Sequence, residues 1–366
     1  MDSYHRLRPY SLSLVFILLT CCSHPPRRVD RAYYYWKTGE ASSGERQFLK
    51  EQGIRKLYVR QLDVDWSDVQ GAIPLNGSNI EALNDDLVRY DTFPVQMVPV
   101  VFITNKTFEL ITPRDIPLLA KRLVRRCLPA YDSMDIRYEH RHYMNFYGGP
   151  IKPKEIQFDC DWTAKTSSAY FQFLREVRNL APDSIIISAT IRLHQYKYPD
   201  KTGVPPVDRG MLMVYNISDP KQYTPEQSIF DLTKASAYFD RTEKYKLPLD
   251  IALPAWSWCL VFRDHKFYQI ENGITESDLR QQAFLKHKGN RYYQVTQDTV
   301  YRDLFLRPGD EIKAESVDDA TLQQAAHLAR RAVNTPDFTV TLFELSEQEI
   351  NRYNHETINQ VYAAFR

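Results

Sequence analysis

Two carboxylates at the end of a strand-like run are the strongest chemical signal in this sequence. In Glu155–Thr163, which reads EIQFDCDWT, Asp159 and Asp161 lie two residues apart. Side chains alternate between the faces of a strand, so both carboxylates share one face, and Phe158 and Cys160 take the other. Crowded carboxylates shift each other's pKa, which lets one hold a proton while the other stays ionised. Cleavage of a glycosidic bond requires such a division of labour.

An echo of this stretch lies upstream. Gln61–Ser67 reads QLDVDWS against QFDCDWT in the later copy, so that Asp63 and Asp65 repeat the acidic pair. The repeat predicts two equivalent strand ends that place acidic groups at one rim.

Eight apolar strands that alternate with helices must position these groups. The predicted strands are Arg31–Lys37, Lys56–Asp65, Val95–Thr104, Glu155–Asp161, Ser184–Leu193, Gly210–Asn216, Leu249–Trp258 and Phe338–Leu345. The predicted helices are Gly44–Gln52, Asn79–Tyr90, Pro113–Arg126, Ser167–Leu180, Ile229–Lys244, Asp319–Val333 and Glu347–Phe365. This alternation favours a barrel over an open doubly wound sheet. No GxGxxG or GxxxxGK[ST] motif follows a strand, which removes the usual dinucleotide and P-loop alternatives.

The predicted fold class is therefore α/β, a (β/α)8 TIM-type barrel with an inserted α+β subdomain between strand seven and its helix. The segment Cys259–Glu315 mixes strand and helix signals and is assigned to the insertion, and Asp132–Pro153 is predicted to be a surface loop. The chain is predicted to begin with a signal peptide at 1–22 and a tether at 23–30. Barrel strands one to seven follow at 31–258, and the inserted subdomain occupies 259–315. Residues 316–366 complete the barrel with helix seven, strand eight and the closing helix.

Polar residues at the carboxyl ends of barrel strands are the candidates for a site, because barrel enzymes build their active sites there. Layers inside a barrel draw on alternate strands, so the two DxDW ends are expected at similar depth. The candidate catalytic pair is Asp159 and Asp161, and the candidate substrate-binding residues are Asp63, Asp65, Trp162, Arg192, His194, Tyr215, Asn216, Trp256, Trp258 and Glu344. The structural alternative, in which an Asp at a strand end caps a helix or pairs with a cation, stays open.

These strand ends resemble a known family. The end of strand four is similar to a degenerate DxxDxDxE motif of the chitinase-like family 18 glycoside hydrolases, and Met213-Val-Tyr-Asn216 is similar to their MxYD motif. An insertion after strand seven also recurs in that family. The resemblance implies a glycan as substrate or ligand. It places the proton-donating position on Asp161, the assisting position on Asp159, and the MxYD positions on Tyr215 and Asn216.

The sequence departs from the family at several of these positions. The motif in strand four reads Lys154, Gln157, Asp159 and Asp161, so the donor position carries Asp instead of Glu. Gln157 in this motif and Asn216 in the MxYD motif remove two further carboxylates. Strand eight ends in Glu344, where the family has Trp. A donor that is shorter by one methylene displaces the proton, which is costly where geometry is tight. The chain looks more like uncharacterised bacterial lipoprotein barrels that are distantly related to the family.

Composition excludes some partners. The 366 residues carry 47 basic and 46 acidic side chains, a formal net charge of +1, so no long-range attraction to nucleic acid or anionic lipid is expected. The cysteines show no CxxC pair or zinc spacing, so neither a metal nor another cofactor is predicted. We expect a monomer.

The first 22 residues resemble the export signal of a bacterial lipoprotein. Basic residues precede the apolar run Tyr10–Leu19, which is too short to span a bilayer and ends at Cys21 and Cys22. Lipidation of one of these cysteines would anchor the protein in the bacterial cell envelope, on the periplasmic or outer face. An ordinary secretory signal or a short anchor is the alternative. Among the remaining cysteines, Cys160 is expected to be a small buried hydrophobe.

Three functions remain open at this point. The first is a glycoside hydrolase with Asp161 as proton donor and Asp159 as its orienting partner. The second is a catalytically inactive barrel that binds a glycan or an envelope protein through aromatic residues. The third is a metal-dependent hydrolase that uses Asp63, Asp161 and His194. Carboxylates that flank an open groove would favour an enzyme, whereas carboxylates held by Arg or Lys would favour a binding barrel.

Overall fold

The computed structural model describes residues 28–75, 80, 83, 87, 94–128 and 153–366. Its strands, numbered along the chain, are β1 (Arg28–Tyr35), β2 (Lys56–Ser67), β3 (Gly71–Leu75), β4 (Gln96–Ile103), β5 (Glu155–Asp159), β6 (Ile186–Arg192), β7 (Arg209–Met213), β8 (Leu249–Pro254), β9 (Ser257–Arg263), β10 (Lys266–Asn272), β11 (Leu285–Gly289), β12 (Tyr292–Val295), β13 (Thr299–Tyr301), β14 (Leu304–Leu306), β15 (Glu311–Ser316) and β16 (Asp337–Phe343).

The helices of the same residues are numbered separately. They are α1 (Ser43–Glu51), α2 (Asn105–Leu110), α3 (Ile116–Cys127), α4 (Ser167–Leu180), α5 (Leu193–Lys197), α6 (Pro199–Thr202), α7 (Leu232–Ser236), α8 (Glu276–Arg280), α9 (Asp319–Ala329), α10 (Glu347–Ile350) and α11 (His355–Ala363). A 3₁₀ turn at Arg330–Ala332 follows α9.

Eight parallel strands close into a barrel, which confirms the predicted fold class. The order around the barrel is β1, β2, β4, β5, β6, β7, β8 and β16, and β1 closes it by pairing with both β2 and β16. These strands are buried on both faces because one face fills the barrel and the other packs against helices. All five residues of β5 are buried, as are all six of β8.

The polypeptide between β8 and α9 forms a separate sheet. Its strands pair antiparallel in the order β10, β9, β15, β12 and β11, and β13 and β14 form a small hairpin beside it. A second apolar cluster, with Val261, Leu279 and Tyr293 among its members, lies under this sheet. The insertion therefore has its own core, and it leaves the barrel at the mouth, directly after strand β8.

Several predicted boundaries differ from those in the structure. β1 begins at Arg28, inside the predicted tether, because Arg28–Tyr33 pairs with β16. The predicted helix Ile229–Lys244 is helical only over Leu232–Ser236. Downstream of this helix the ring of Phe239 is buried and the Arg241 side chain bonds to the carbonyl of Tyr196, so packing rather than helical hydrogen bonding directs the chain.

Two further differences concern the mouth of the barrel. The predicted seventh strand runs to Trp258, but β8 ends at Pro254, and β9 starts a new sheet at Ser257. The short strand β3 was not predicted; it extends the end of β2 as an antiparallel hairpin. The predicted closing helix is divided into α10 and α11, because Asn354 caps the second helix by accepting a bond from the Glu356 amide.

Some predictions fall outside the described residues. They include the signal peptide, the loop before Pro153 and most of the predicted helix at 79–90. Cys127, Cys160 and Cys259 are free and buried. Within the described ranges, none of the helices is long and apolar enough to cross a membrane.

A layer of charged side chains lies inside the barrel at the amino ends of the strands. Glu155 accepts bonds from Lys56 Nζ at 2.7 Å and Ser188 Oγ at 2.6 Å. Asp250 accepts two bonds from Arg209, at 3.0 and 2.8 Å. Both carboxylates are 1% exposed, and each is matched by a cation. This group of residues is called the lower polar layer below.

Candidate functional site

The acidic pair on β5 lies at the carboxyl end of the strand, and we call the region around these strand ends the mouth. Asp159 faces the barrel interior and is 4% exposed, and its Oδ1 accepts a bond from Thr190 Oγ1 at 2.7 Å. Burial raises the pKa of Asp159, and the neighbouring charge of Asp161 adds to this effect, while Arg192 opposes it. The site therefore favours the protonated form of one carboxyl group.

Arg192 connects the two members of this pair. It ends β6, and its guanidinium lies on the mouth side of the barrel, where its Nε donates to Asp161 Oδ1. Its Nη2 lies 3.9 Å from Asp159 Oδ1. The Asp161 side chain is 54% exposed, but its carboxylate is occupied by the guanidinium. A carboxyl group held in this way is a structural partner for a cation and is not free to donate a proton.

The upstream pair on β2 reaches the same end of the barrel. Arg60 Nε donates to Asp63 Oδ1 at 2.8 Å. Asp65 accepts bonds from Thr104 Oγ1 at 2.7 Å and from the Trp66 amide at 2.8 Å, and these hydrogen bonds lower its pKa. Asp63 pairs in register with Phe102 of β4, which in turn pairs with Asp159 of β5, so Asp63 and Asp159 lie level at the same end of the barrel.

Aromatic rings form the wall of the mouth, with Phe343 at the centre. Its ring centroid lies 5.2 Å from that of Trp256 and 5.7 Å from those of Tyr34 and Trp36. Tyr215 completes the group, because its ring stands edge-on to Trp256 at 5.0 Å. The inward aromatic position at the end of β16 therefore belongs to Phe343, whereas sequence analysis had considered only Glu344 there.

The hydroxyl of Tyr215 lacks a partner. The residue is 4% exposed, and its buried hydroxyl makes no hydrogen bond to any described residue. Burial raises its pKa, and the charges of Asp159, Asp161 and Glu344 raise it further, while Arg192 opposes them. A buried hydroxyl without a partner costs about 1–3 kcal/mol, which a ligand with a complementary polar atom would recover.

Glu344 is a carboxyl group at the mouth that no cation among the described residues holds. It is half-buried and forms neither a hydrogen bond nor an ion pair with the described residues. Burial raises its pKa to about 7, and the nearby charges of Glu349 and Glu45 add to this rise against Lys37 and Arg60. A carboxyl group with a pKa near 7 is able to gain or lose a proton under physiological conditions.

Other predicted site residues lie elsewhere. Trp162 is fully buried behind β5, where its ring stacks on Tyr170 at 5.3 Å and its Nε1 donates to the Thr202 carbonyl. Trp258 belongs to the inserted sheet, and its Nε1 donates to Glu315 Oε2 at 2.9 Å. These two indoles are therefore already engaged by the protein.

Two polar predictions lie at the exposed edge of the mouth. His194 is exposed on α5, and Asn216 is exposed with a positive φ of 54°. In the described part of the chain, neither side chain forms a hydrogen bond or an ion pair with the acidic pair. The described residues contain no group of three His, Cys, Asp or Glu side chains that is arranged to hold a metal ion. Cys21 and Cys22 lie outside the described residues.

Sequence analysis missed four residues that help to build the mouth, namely Tyr34, Trp36, Arg60 and Phe343. Alternation supplies a signal for all four of them. Lys56, Tyr58 and Arg60 share one face of β2, and Thr339, Thr341 and Phe343 share one face of β16. Tyr34 and Trp36 likewise have the same parity. The alternation along each strand, rather than the presence of a polar residue at its end, identifies the inward side chains.

Comparison with known proteins places the fold among family 18 barrels. No family model and no curated protein matches the sequence. The chain resembles a glycoside hydrolase family 18 N-acetylglucosaminidase from Paenibacillus barengoltzii with a TM-score of 0.51 at 11% identity, over 92% of this chain and 100% of the other. It resembles a class V chitinase from Nicotiana tobaccum with a TM-score of 0.51 at 10% identity, over 92% and 98%. The class of protein is thus a (β/α)8 barrel, and its fold is similar to that of these two proteins. The resemblance inferred from the strand ends is confirmed at the level of the fold.

Proposed function

We propose that this protein binds a glycan at the mouth of its barrel without cleaving it. The observation that carries the proposal is the ion pair between Arg192 and Asp161, which occupies the carboxylate at the position of the proton donor in the resembled family. General acid catalysis needs a carboxylic acid within reach of the leaving oxygen. Here the acid position is instead filled by a carboxylate that holds a guanidinium.

The mouth retains features that suit a saccharide. The rings of Trp36, Phe343 and Trp256 form an apolar wall, and flat rings pack against the apolar faces of sugars. The unpartnered hydroxyl of Tyr215 and the carboxyl of Glu344 supply polar groups beside this wall. Binding sites of this kind combine an apolar lining with a few polar groups that orient the ligand.

The class of glycan is proposed from the proteins with similar folds. One is an N-acetylglucosaminidase and another is a chitinase. We therefore propose an oligosaccharide of amino sugars as the ligand.

Titration calorimetry with a tetrasaccharide of N-acetylglucosamine tests the proposal. We expect saturable binding that is weakened about tenfold by Trp36→Ala, since loss of a stacking ring costs about 1–2 kcal/mol. The matched control is Tyr268→Ala, which removes an exposed ring on the inserted sheet, 45% exposed and remote from the barrel strands, and should leave the affinity unchanged. Equal loss in both variants, or no binding at all to any amino-sugar oligosaccharide, would refute the proposal.

Hydrolysis is the second candidate, and one observation favours it. Burial raises the pKa of Asp159 beside Asp161, so that the pair can retain a proton as the carboxyl pairs of hydrolases do. In this alternative Asp161 gives a proton to the glycosidic oxygen and Asp159 orients it, after Arg192 has moved away. Release of shorter sugars that is abolished by Asp161→Asn would establish it.

We also propose that the mature protein is exported and held in the bacterial cell envelope as a monomer by a lipid on Cys21 or Cys22. The support is the apolar run before these cysteines in the sequence. Incorporation of a labelled fatty acid should be lost in a variant with both cysteines changed to Ser. Labelling that persists in this variant would exclude both cysteines as the attachment site.

A further inference from the structure

We propose that the mouth selects an amino sugar whose amine is free and cationic, with the ammonium group of the ligand held against Glu344. This inference rests on the proposed function and names the substrate class for the same site.

The first argument is that the cations around Glu344 are already committed. Lys37 and Arg60 are the positive groups whose charges act on it. Lys37 Nζ lies 2.7 Å from Glu45 Oε1, and Arg60 pairs with Asp63. Each of these two cations is thus paired with a different carboxylate, and Glu344 forms no ion pair with a described residue.

The second argument concerns the carboxylate next to Glu344. Glu349 accepts bonds from the amide and hydroxyl of Ser257 and pairs with Arg352. Its role is to join α10 to the start of β9, and its negative charge disfavours ionisation of Glu344. A bound cation would relieve this repulsion, whereas a neutral acetamide group would not.

The third argument concerns the hydroxyl of Tyr215. The Tyr215 hydroxyl is a buried polar group without a partner, and it lies in the electrostatic field of Glu344, Asp159 and Arg192. The ring of Tyr215 lies 6.0 Å from that of Phe343, the residue before Glu344. An unsatisfied hydroxyl and an unpaired carboxyl group thus flank the same aromatic surface, which is the pattern of a site completed by a polar ligand.

The fourth argument is that the aromatic wall suits an ammonium group. The faces of Trp and Tyr rings attract cations, and the guanidinium of Arg60 already lies 5.5 Å from the Trp36 ring. A ligand with a free amine therefore gains from the wall as well as from Glu344. Acetylation of the amine would remove both gains.

The experiment compares three tetrasaccharides, made of glucosamine, N-acetylglucosamine and glucose, by titration calorimetry at low and high salt. We expect the glucosamine ligand to bind about tenfold more tightly than the other two at low salt, because a hydrogen bond to a charged group is worth about 1.5–3 kcal/mol. High salt should reduce this preference. Equal or tighter binding of the acetylated ligand by the wild-type protein would overturn the inference without requiring any variant.

Glu344→Gln should reduce the preference for the glucosamine ligand over the glucose ligand to about twofold or less. The matched control is Glu347→Gln, which removes an exposed carboxylate three residues away on α10 and should keep the preference. Loss of the preference in both variants would indicate a diffuse charge effect and overturn the inference. Absence of binding by all three ligands would instead refute the proposed function itself, so the two failures are distinguishable.

Discussion

The lower polar layer and the mouth contain similar polar side chains in the same barrel, but these side chains differ in whether they have hydrogen-bond and ion-pair partners. In the lower layer, Glu155 and Asp250 are almost inaccessible, and each accepts bonds from a cation and from a neighbouring strand. At the mouth, neither a cation for Glu344 nor a hydrogen-bond partner for the Tyr215 hydroxyl is found among the described residues. The comparison teaches that the barrel can satisfy buried charges where only stability is required. Unsatisfied groups at the mouth therefore point to a ligand.

The acidic pair on β5 lies between these extremes. Asp159 and Asp161 share Arg192 and are satisfied by the protein, as in the lower layer, but they lie at the end of the barrel where ligands enter. The groups at the mouth that lack such partners among the described residues are the hydroxyl of Tyr215, in the aromatic wall, and the carboxyl group of Glu344, which follows β16. This difference shifts the centre of the site from the pair that dominates the sequence toward Glu344 and the aromatic rings.

The largest expected effect is on stability, in the lower polar layer. Asp250→Ala leaves the Arg209 guanidinium buried without its carboxylate, and breaking a buried pair in this way costs about 3–5 kcal/mol. Urea denaturation followed by tryptophan fluorescence measures the loss. A loss below about 1 kcal/mol would show that the lower layer is no more committed to stability than the mouth.

The next effect is the pH dependence that Glu344 imposes. Its pKa rises from 4.5 to about 7 in the folded protein, so the folded state binds more protons than the unfolded state within this window. Stability should therefore fall as the pH rises from about 4.5 to about 7, by up to about 3 kcal/mol relative to Glu344→Gln. Denaturation of both proteins at several pH values measures the difference. Parallel curves for the two proteins would contradict the assignment.

A smaller effect is expected on ligand affinity when one aromatic ring is removed from the wall of the mouth. Trp36→Ala should raise the Kd of an amino-sugar tetrasaccharide about tenfold, because one stacking surface is lost. In the lower layer, Lys56→Met should leave the Kd of the folded protein within about twofold, since this side chain lies at the opposite end of the strands. If the Kd rises equally in both variants, the ligand does not bind specifically at the mouth, and the prediction is wrong.

The smallest effect is expected for Asp161→Asn. The Asp161 side chain is 54% exposed, and exposed ion pairs contribute about 0–1 kcal/mol, so the free energy of unfolding should change by less than about 1 kcal/mol. Thermal denaturation monitored by circular dichroism checks this. A loss comparable to that of Asp250→Ala would show that the ion pair between Asp161 and Arg192 contributes as much to stability as the pairs of the lower polar layer.

The strand pattern was sufficient to predict the barrel, and the reason is physical. Strands that are buried on both faces are rich in apolar residues: β4 is a nearly continuous apolar run, and β5 and β16 keep apolar side chains on the face that packs against the helices. The change of direction after Pro254 could not be predicted in this way. An apolar run shows that residues are buried but not which sheet they join, so Trp256 and Trp258 were assigned to one strand.

The candidate site was predicted in part. Asp159, Asp161, Arg192 and Tyr215 all reach the mouth, because the end of a parallel strand fixes the end of the barrel. What could not be predicted was how the carboxylates are partnered, since Arg192 meets Asp161 across two different strands. Trp162 has the parity of Cys160 rather than that of Asp161, and this alternation explains why it packs behind the strand.

Product analysis under conditions of demonstrated binding tests the central claim most directly. The protein and an amino-sugar tetrasaccharide are mixed at equal concentrations above the measured Kd, and the sugars are followed by mass spectrometry over many hours. Binding without cleavage predicts that the tetrasaccharide remains intact in the wild-type protein and in Asp161→Asn alike. Shorter sugars that form with the wild-type protein and are absent with Asp161→Asn would contradict it.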